Sequence, residues 1–247
     1  MHQLRTRLAI LLAAVVAFLG TPALAGATTP SGAAPPSSSS TTSKVWVTHG
    51  LPLDAAGTAV DVYVDGAAIV EDFTFGTTIG PLTLPAATYD IQVKLAGTDT
   101  VAIDQDVAVP AGGNFSVVAS YTDDAGSIGL NVFANDLSRT PWLTGRLSLH
   151  HAAAAPAVAV DLGLFPLSRY LPWLKVTKVD GAVNGQKADI VAPSFLSYTA
   201  DVRVAGTSTT VLSLDDVRVK DRRLTNVYVV GSAAAGTLQT VSSVIRL

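Results

Sequence analysis

The 247-residue chain carries 16 basic and 19 acidic residues, a formal net charge of −3, and no cysteine. The missing thiols exclude disulfides, a lipid-modified cysteine and thiolate chemistry. An acidic balance without clustered Lys and Arg excludes nucleic acid as a partner.

Residues 1–25 read as a secretory signal peptide. Arg5 and Arg7 form its positive start, Leu8–Leu19 is an apolar run of 12, and Ala23-Leu24-Ala25 offers the cleavage pattern. The run is shorter than the ~20 residues a membrane helix needs, so no integral span is expected after cleavage. The processed chain has 14 basic against 19 acidic residues. Residues 26–43, "GATTPSGAAPPSSSSTTS", have no apolar period and read as a disordered Ser/Thr/Pro linker.

Composition favours strands throughout. Hydrophobic residues make up 49% and charged residues 14%, and Glu71 is the single glutamate against 18 aspartates, which suit turns better than helices. A first domain is expected over 44–136. Val45, Val47 and His49 form one strand row, with Trp46 and Thr48 on the other face. "PLDAAGT" is a loop. Val60, Val62 and Val64 alternate with Asp61, Tyr63 and Asp65, and Asp65-Gly66 is a hairpin turn. Further strands are expected around Ile69–Phe75, on both sides of the turn at Pro85, and over Val101–Val109, Phe115–Tyr121 and Ile128–Phe133.

After a junction at 137–144 the pattern returns over 145–247, in a second unit of roughly 100 residues, which suits a second small domain. Leu147, Leu149 and His151 repeat the row of Val45, Val47 and His49. Val158, Val160 and Leu162 repeat Val60, Val62 and Val64. Between Gly163 and Gly181 the copies diverge. Pro166 and Pro172 forbid a long helix there, so a short helical or irregular insertion is expected. Strands resume over 200–204, 211–219, 224–231 and 238–245. The fold class is therefore all-β: two tandem immunoglobulin-like antiparallel β-sandwich domains, each with its own core.

The pattern "V-x-H-G…AVDVYVDG…FG…L-P-A-x-T-Y-x-I-Q-V" over Val47–Val93 resembles the DUF4397 family, a domain of unknown function in exported bacterial proteins. The first copy matches well, the second loosely: Ala159 stands where the first has Asp61, and a Pro-Asp loop is missing. The resemblance implies an exported β-rich domain, often in tandem, and brings no reaction and no catalytic residues.

The chemistry-bearing residues are few. His49 and His151 stand at matching strand ends and, with Asp61, are expected to be structural. His150 points to the opposite face from His151. Asp104 and Asp106 read as a solvated strand face. Asp123-Asp124 and Asp215-Asp216 lie near turns, without the spacing of a calcium loop. No nucleophile motif or phosphate loop is present, and no catalytic residue, metal or cofactor is assigned. Trp142, Leu164, Phe165, Tyr170 and Trp173 are the candidate partner-binding surface, provided that they do not pack onto their own sandwich or into the interdomain seam. "KDRR" at Lys220–Arg223 reads as a polar hairpin tip.

The function expected is that of a secreted or cell-envelope-associated, non-enzymatic binding or structural module, with a protein or glycan partner in the envelope or outside the cell. The alternative is an exported hydrolase or carbohydrate-active protein with an interdomain site using His49 or His151 and an aspartate. A third reading completes the sheets against a second copy.

Overall fold

The structure, a computed structural model, describes residues 41–52 and 59–247. The signal peptide, the linker up to residue 40 and most of the "PLDAAGT" loop lie outside the described residues. Sixteen strands form four sheets of four. In spatial order the first sheet is β4 (Thr78–Pro85), β1 (Thr42–His49), β7 (Asn114–Tyr121) and β8 (Ile128–Ala134). Facing it are β3 (Ala67–Phe73), β2 (Val60–Val64), β5 (Ala87–Leu95) and β6 (Val101–Val109). The third sheet is β12 (Lys187–Pro193), β9 (Thr144–Ala154), β15 (Arg223–Ser232) and β16 (Gln239–Arg246). The fourth is β11 (Val176–Ala182), β10 (Val158–Leu164), β13 (Ser197–Val204) and β14 (Thr210–Arg218). Adding eight to each strand number of the first pair of sheets reproduces the order of the second pair. Every pairing is antiparallel except β1 with β7 and β9 with β15, which are parallel.

Alternation explains the cores. Val60 and Val62 on β2, Val93 on β5 and Ile103 and Val107 on β6 meet Val45 and Val117 between the first two sheets. Leu147, Leu149, Val158, Val160, Val202 and Val229 do the same between the last two. Asp65 and Gly66 both take the left-handed conformation (φ 49° and 77°) that a two-residue hairpin between β2 and β3 requires.

Two expectations are corrected and one is extended. The immunoglobulin-like order puts the first and second strands side by side. Here β1 and β2 lie in opposite sheets. Secondly, each pair of sheets has its own core, and the two are bridged. A third buried cluster of Val118, Phe133, Ala152, Tyr228, Val230 and Val241 joins β7 and β8 to β9, β15 and β16. Thirdly, only residues 165–175 of the divergent stretch lack strands. Helix α1 (Leu167–Tyr170) and a 3₁₀ turn (Pro172–Leu174) are followed by β11, and β12 also escaped the sequence reading. β11 is largely exposed, so it lacks the apolar alternation that marks a half-buried strand; β12 does alternate, with Asp189 and Val191 exposed and Ala192 buried, but over a short span. β1 also begins two residues before the expected Lys44.

Gly50 shows why the two halves meet. A Cβ there would lie 2.9 Å from Val230 Cγ1 and 3.2 Å from Val118 Cγ1. The matching residue after His151 is Ala152, itself fully buried in the seam. Small residues after each histidine thus let the first and third sheets approach.

Candidate functional site

All three described histidines are buried. His49 is buried against Phe73 and Phe75, at 5.8 and 6.0 Å between ring centroids. Its Nδ1 accepts a hydrogen bond from the Leu51 N–H at 3.4 Å. His151 repeats the arrangement: its Nδ1 accepts from the Ala153 N–H at 3.4 Å, and its Nε2 donates to the Pro156 carbonyl at 3.2 Å. An acceptor at Nδ1 fixes the Nε2–H tautomer, and burial lowers the His151 pKa. This geometry pins the loop that leaves each strand.

His150, on the opposite face of β9, is buried in the seam between Phe133 (4.5 Å) and Tyr228 (4.6 Å). Its Nε2 meets Asn226 Oδ1 at 3.2 Å, and Asn226 Nδ2 donates across the seam to Asn135 Oδ1 at 3.1 Å. Burial lowers its pKa from 6.5 to about 4, against a smaller opposing effect of the Asn226 hydrogen bond. Aromatic rings and amide side chains thus fill the seam around His150.

The carboxylates serve as staples or form a solvated face. Asp61 accepts from the Asp72 and Gly97 N–H groups, at 2.9 and 3.4 Å. Asp123 Oδ1 caps its own turn by accepting from Gly126 and Ser127, both at 2.8 Å. Asp215 and Asp216 pair with Arg169 and Arg218. Asp90 lies opposite Asp106 on the outer face of the second sheet, and partial burial, then the Asp104 and Asp106 carboxylates, raise its pKa. Among the described residues no group of three or more His, Asp or Glu side chains could hold a metal ion. A cavity of about 40 Å³ inside the first sandwich is lined by Val62, Val93, Val107 and Val117, among other apolar side chains. It is apolar and far smaller than a cavity that would hold a benzene-sized ligand.

The candidate surface residues are the ones the fold leaves outside. Trp142 is 73% exposed, Tyr170 79% and Trp173 74%. Leu164 is exposed and Phe165 half-buried. Packing of the three exposed rings onto their own sandwich or into the seam is thereby excluded. The backbone gathers all five at one end of the second pair of sheets. The Phe165 N–H donates to the Ser197 carbonyl (3.0 Å), the Ser194 N–H to the Leu143 carbonyl (2.8 Å) and the Arg222 N–H to the Thr144 carbonyl (2.9 Å). The starts of β9, β11, β13 and β15 therefore share this end with the finishes of β10, β12 and β14. The junction is fastened to it by Arg146, a buried side chain whose guanidinium donates to the Asp136 carbonyl at 2.6 Å and to Ser138 Oγ at 2.8 Å.

Two contributors escaped the sequence reading. Phe195, 70% exposed, caps the turn between β12 and β13. Its one signal is the Pro193-Ser194 step before it. Lys220–Arg223, read as a bland hairpin tip, lies beside the Trp142 turn. The Lys220 carbonyl stands 2.1 Å from where a Cβ on Gly145 would be. Leu143 holds a left-handed backbone (φ 59°) with its side chain exposed, an unusual place for a leucine.

No curated protein matches the chain. Among solved structures, a candidate cell adhesion protein from Bacteroides uniformis is 14% identical, over 82% of this chain and 96% of its own, with a TM-score of 0.28. A carbohydrate-binding module of family CBM26 from Eubacterium rectale, solved with maltoheptaose, is 11% identical over 83% and 97%, with a TM-score of 0.26. A candidate adhesin from Bacteroides ovatus is 10% identical over 75% and 88%, with a TM-score of 0.21. Likenesses this weak do not bear on function. A family model described as a domain of unknown function, DUF4397, matches residues 43–161, from β1 across the junction into β10.

Proposed function

We propose that the chain is an exported, non-enzymatic binding module of the cell envelope or its surroundings, and that the loop end of its second pair of sheets makes the contact. Its signal peptide ends at Ala25 and its linker spaces the folded part from its point of attachment. The folded part consists of two tandem eight-stranded sandwich domains, 44–136 and 145–247, the second a diverged copy of the first. The repeated strand order supports the duplication.

One observation carries the functional reading: Trp142, Tyr170, Trp173 and Phe195 stand 70–79% exposed at the same end of one sandwich. Leaving that much aromatic surface in water is unfavourable by about 25 cal/mol per Å² of apolar area, a cost that a contact at this end recovers. The titratable groups that a hydrolase would need are occupied elsewhere: His49 and His151 hold loop amides inside their own sandwiches.

Retention on isolated envelope material, compared between the chain from Gly26 onward and its Trp142→Ser/Trp173→Ser variant, tests the proposal. Loss of retention with an unchanged melting temperature supports it. Unchanged retention refutes the assigned surface. Hydrolytic turnover that disappears in a folded His151→Ala variant refutes the non-enzymatic reading.

A further inference from the structure

We propose that this same end docks on an anionic lipid surface, its apolar loop tips entering the headgroup layer and the surrounding cations meeting lipid phosphates. The inference rests on the reading that this end is the binding surface, and adds the class of partner.

The first argument is the mixture of side chains. Beside the rings stand exposed Leu143, Leu164, Leu167, Leu174 and Val176. A sugar needs flat faces flanked by hydrogen-bonding groups, and aliphatic tips add little to that. A bilayer interface accepts both kinds: Trp and Tyr settle at headgroup depth, and Leu and Val reach toward the acyl boundary.

Charge is the second argument. Arg139, Lys220, Arg222 and Arg223 are exposed at this end and carry no ion pair among the described residues. Arg169 and Arg218, by contrast, are paired to Asp215 and Asp216. The asymmetry extends over the chain. Residues 44–135 hold two basic and eleven acidic residues, whereas residues 136–247 hold twelve basic and eight acidic. The second pair of sheets, which carries this end, is therefore the half that a negative surface attracts.

The point of chain entry agrees. Lys44 pairs with Asn114 at the start of β7, the Asn114 side chain meets Asn135, and Asn135 meets Asn226 near the start of β15. Thr42, where the fold begins, is therefore on the same side as the basic, apolar end.

The test uses the chain from Gly26 onward, since Leu8–Leu19 would itself partition into lipid. Sedimentation is measured with vesicles of three parts phosphatidylcholine to one part phosphatidylglycerol, and with phosphatidylcholine alone, while tryptophan emission is followed. The anionic vesicles are expected to bind the chain and shift its emission to the blue. Lys220→Gln/Arg222→Asn, or 0.5 M salt, should lower the partition coefficient by about tenfold or more. Trp142→Ser/Trp173→Ser should abolish the shift. No partition onto either vesicle, or partition indifferent to both variants, overturns the inference. If vesicles fail while envelope retention still needs Trp142 and Trp173, the end binds a protein or glycan and only the lipid assignment falls. If retention is indifferent as well, the underlying reading falls with it.

Discussion

At the scale of single residues, the three described histidines differ in what burial does to them. Protonating His150 would put a charge between Phe133 and Tyr228 and leave a second ring donor at Nδ1, which has no partner among the described residues. Its folded pKa of about 4 lies below the ordinary 6.5. Its stabilising contribution is therefore complete above about pH 6.5 and is lost as the pH falls toward 4, amounting to about 3 kcal/mol over that window. Lys187 and Asp189 modulate it weakly and in opposite directions. Thermal melts at pH 7 and 4.5 should show a clearly shallower acid dependence in His150→Gln than in the parent. Gly50→Ala is a second residue-scale case. Its new methyl meets the β-branched Val230 across the seam, and a loss of about 1–3 kcal/mol in urea denaturation is expected. The matching places of His49 and His151 were legible from sequence, because equivalent strand ends carry the same residue. Burial of His150 was not. Alternation places it outside its own sandwich, and only the neighbouring sheet turns that face into an interior.

At the scale of elements, strands with clean alternation were legible to within a residue or two. Val101–Val109 is the clearest, with Ile103, Val107 and Val109 buried and Asp104 and Asp106 outside. β11 was hidden because its Val176, Thr177 and Lys178 are all exposed, and no pattern marks a strand wetted on both faces. The first sandwich encloses a small apolar cavity. Val117→Ile, which adds one methylene toward that space, should raise stability by about 1 kcal/mol, read from the urea midpoint. At the loop end, Leu143 pays for its exposed side chain with a left-handed backbone. Leu143→Gly should stabilise the fold by about 1 kcal/mol in the same assay while weakening vesicle binding. A gain in stability with binding intact would separate the strained turn from the surface.

At the scale of the whole molecule, the seam joins what alternation alone presents as two units. Tyr228 is fully buried between the first and third sheets, at 6.1 Å from the Phe133 ring. Tyr228→Ala should cost about 3–5 kcal/mol. Urea unfolding followed by tryptophan emission and by circular dichroism should give coincident single transitions in the parent chain, and two separated transitions would show that the seam contributes little.

The sequence by itself determined the all-β class, the absence of disulfides, the position of most strands and the recurrence of one pattern. Each of these follows from side chains spaced two apart, a property of the chain that no distant contact can alter. Strand order, the closed seam and the exposure of Trp142, Tyr170, Trp173 and Phe195 were decided only in three dimensions. Pairing joins residues far apart in sequence, and whether an apolar face ends in an interior or in water depends on which sheet, if any, comes to cover it.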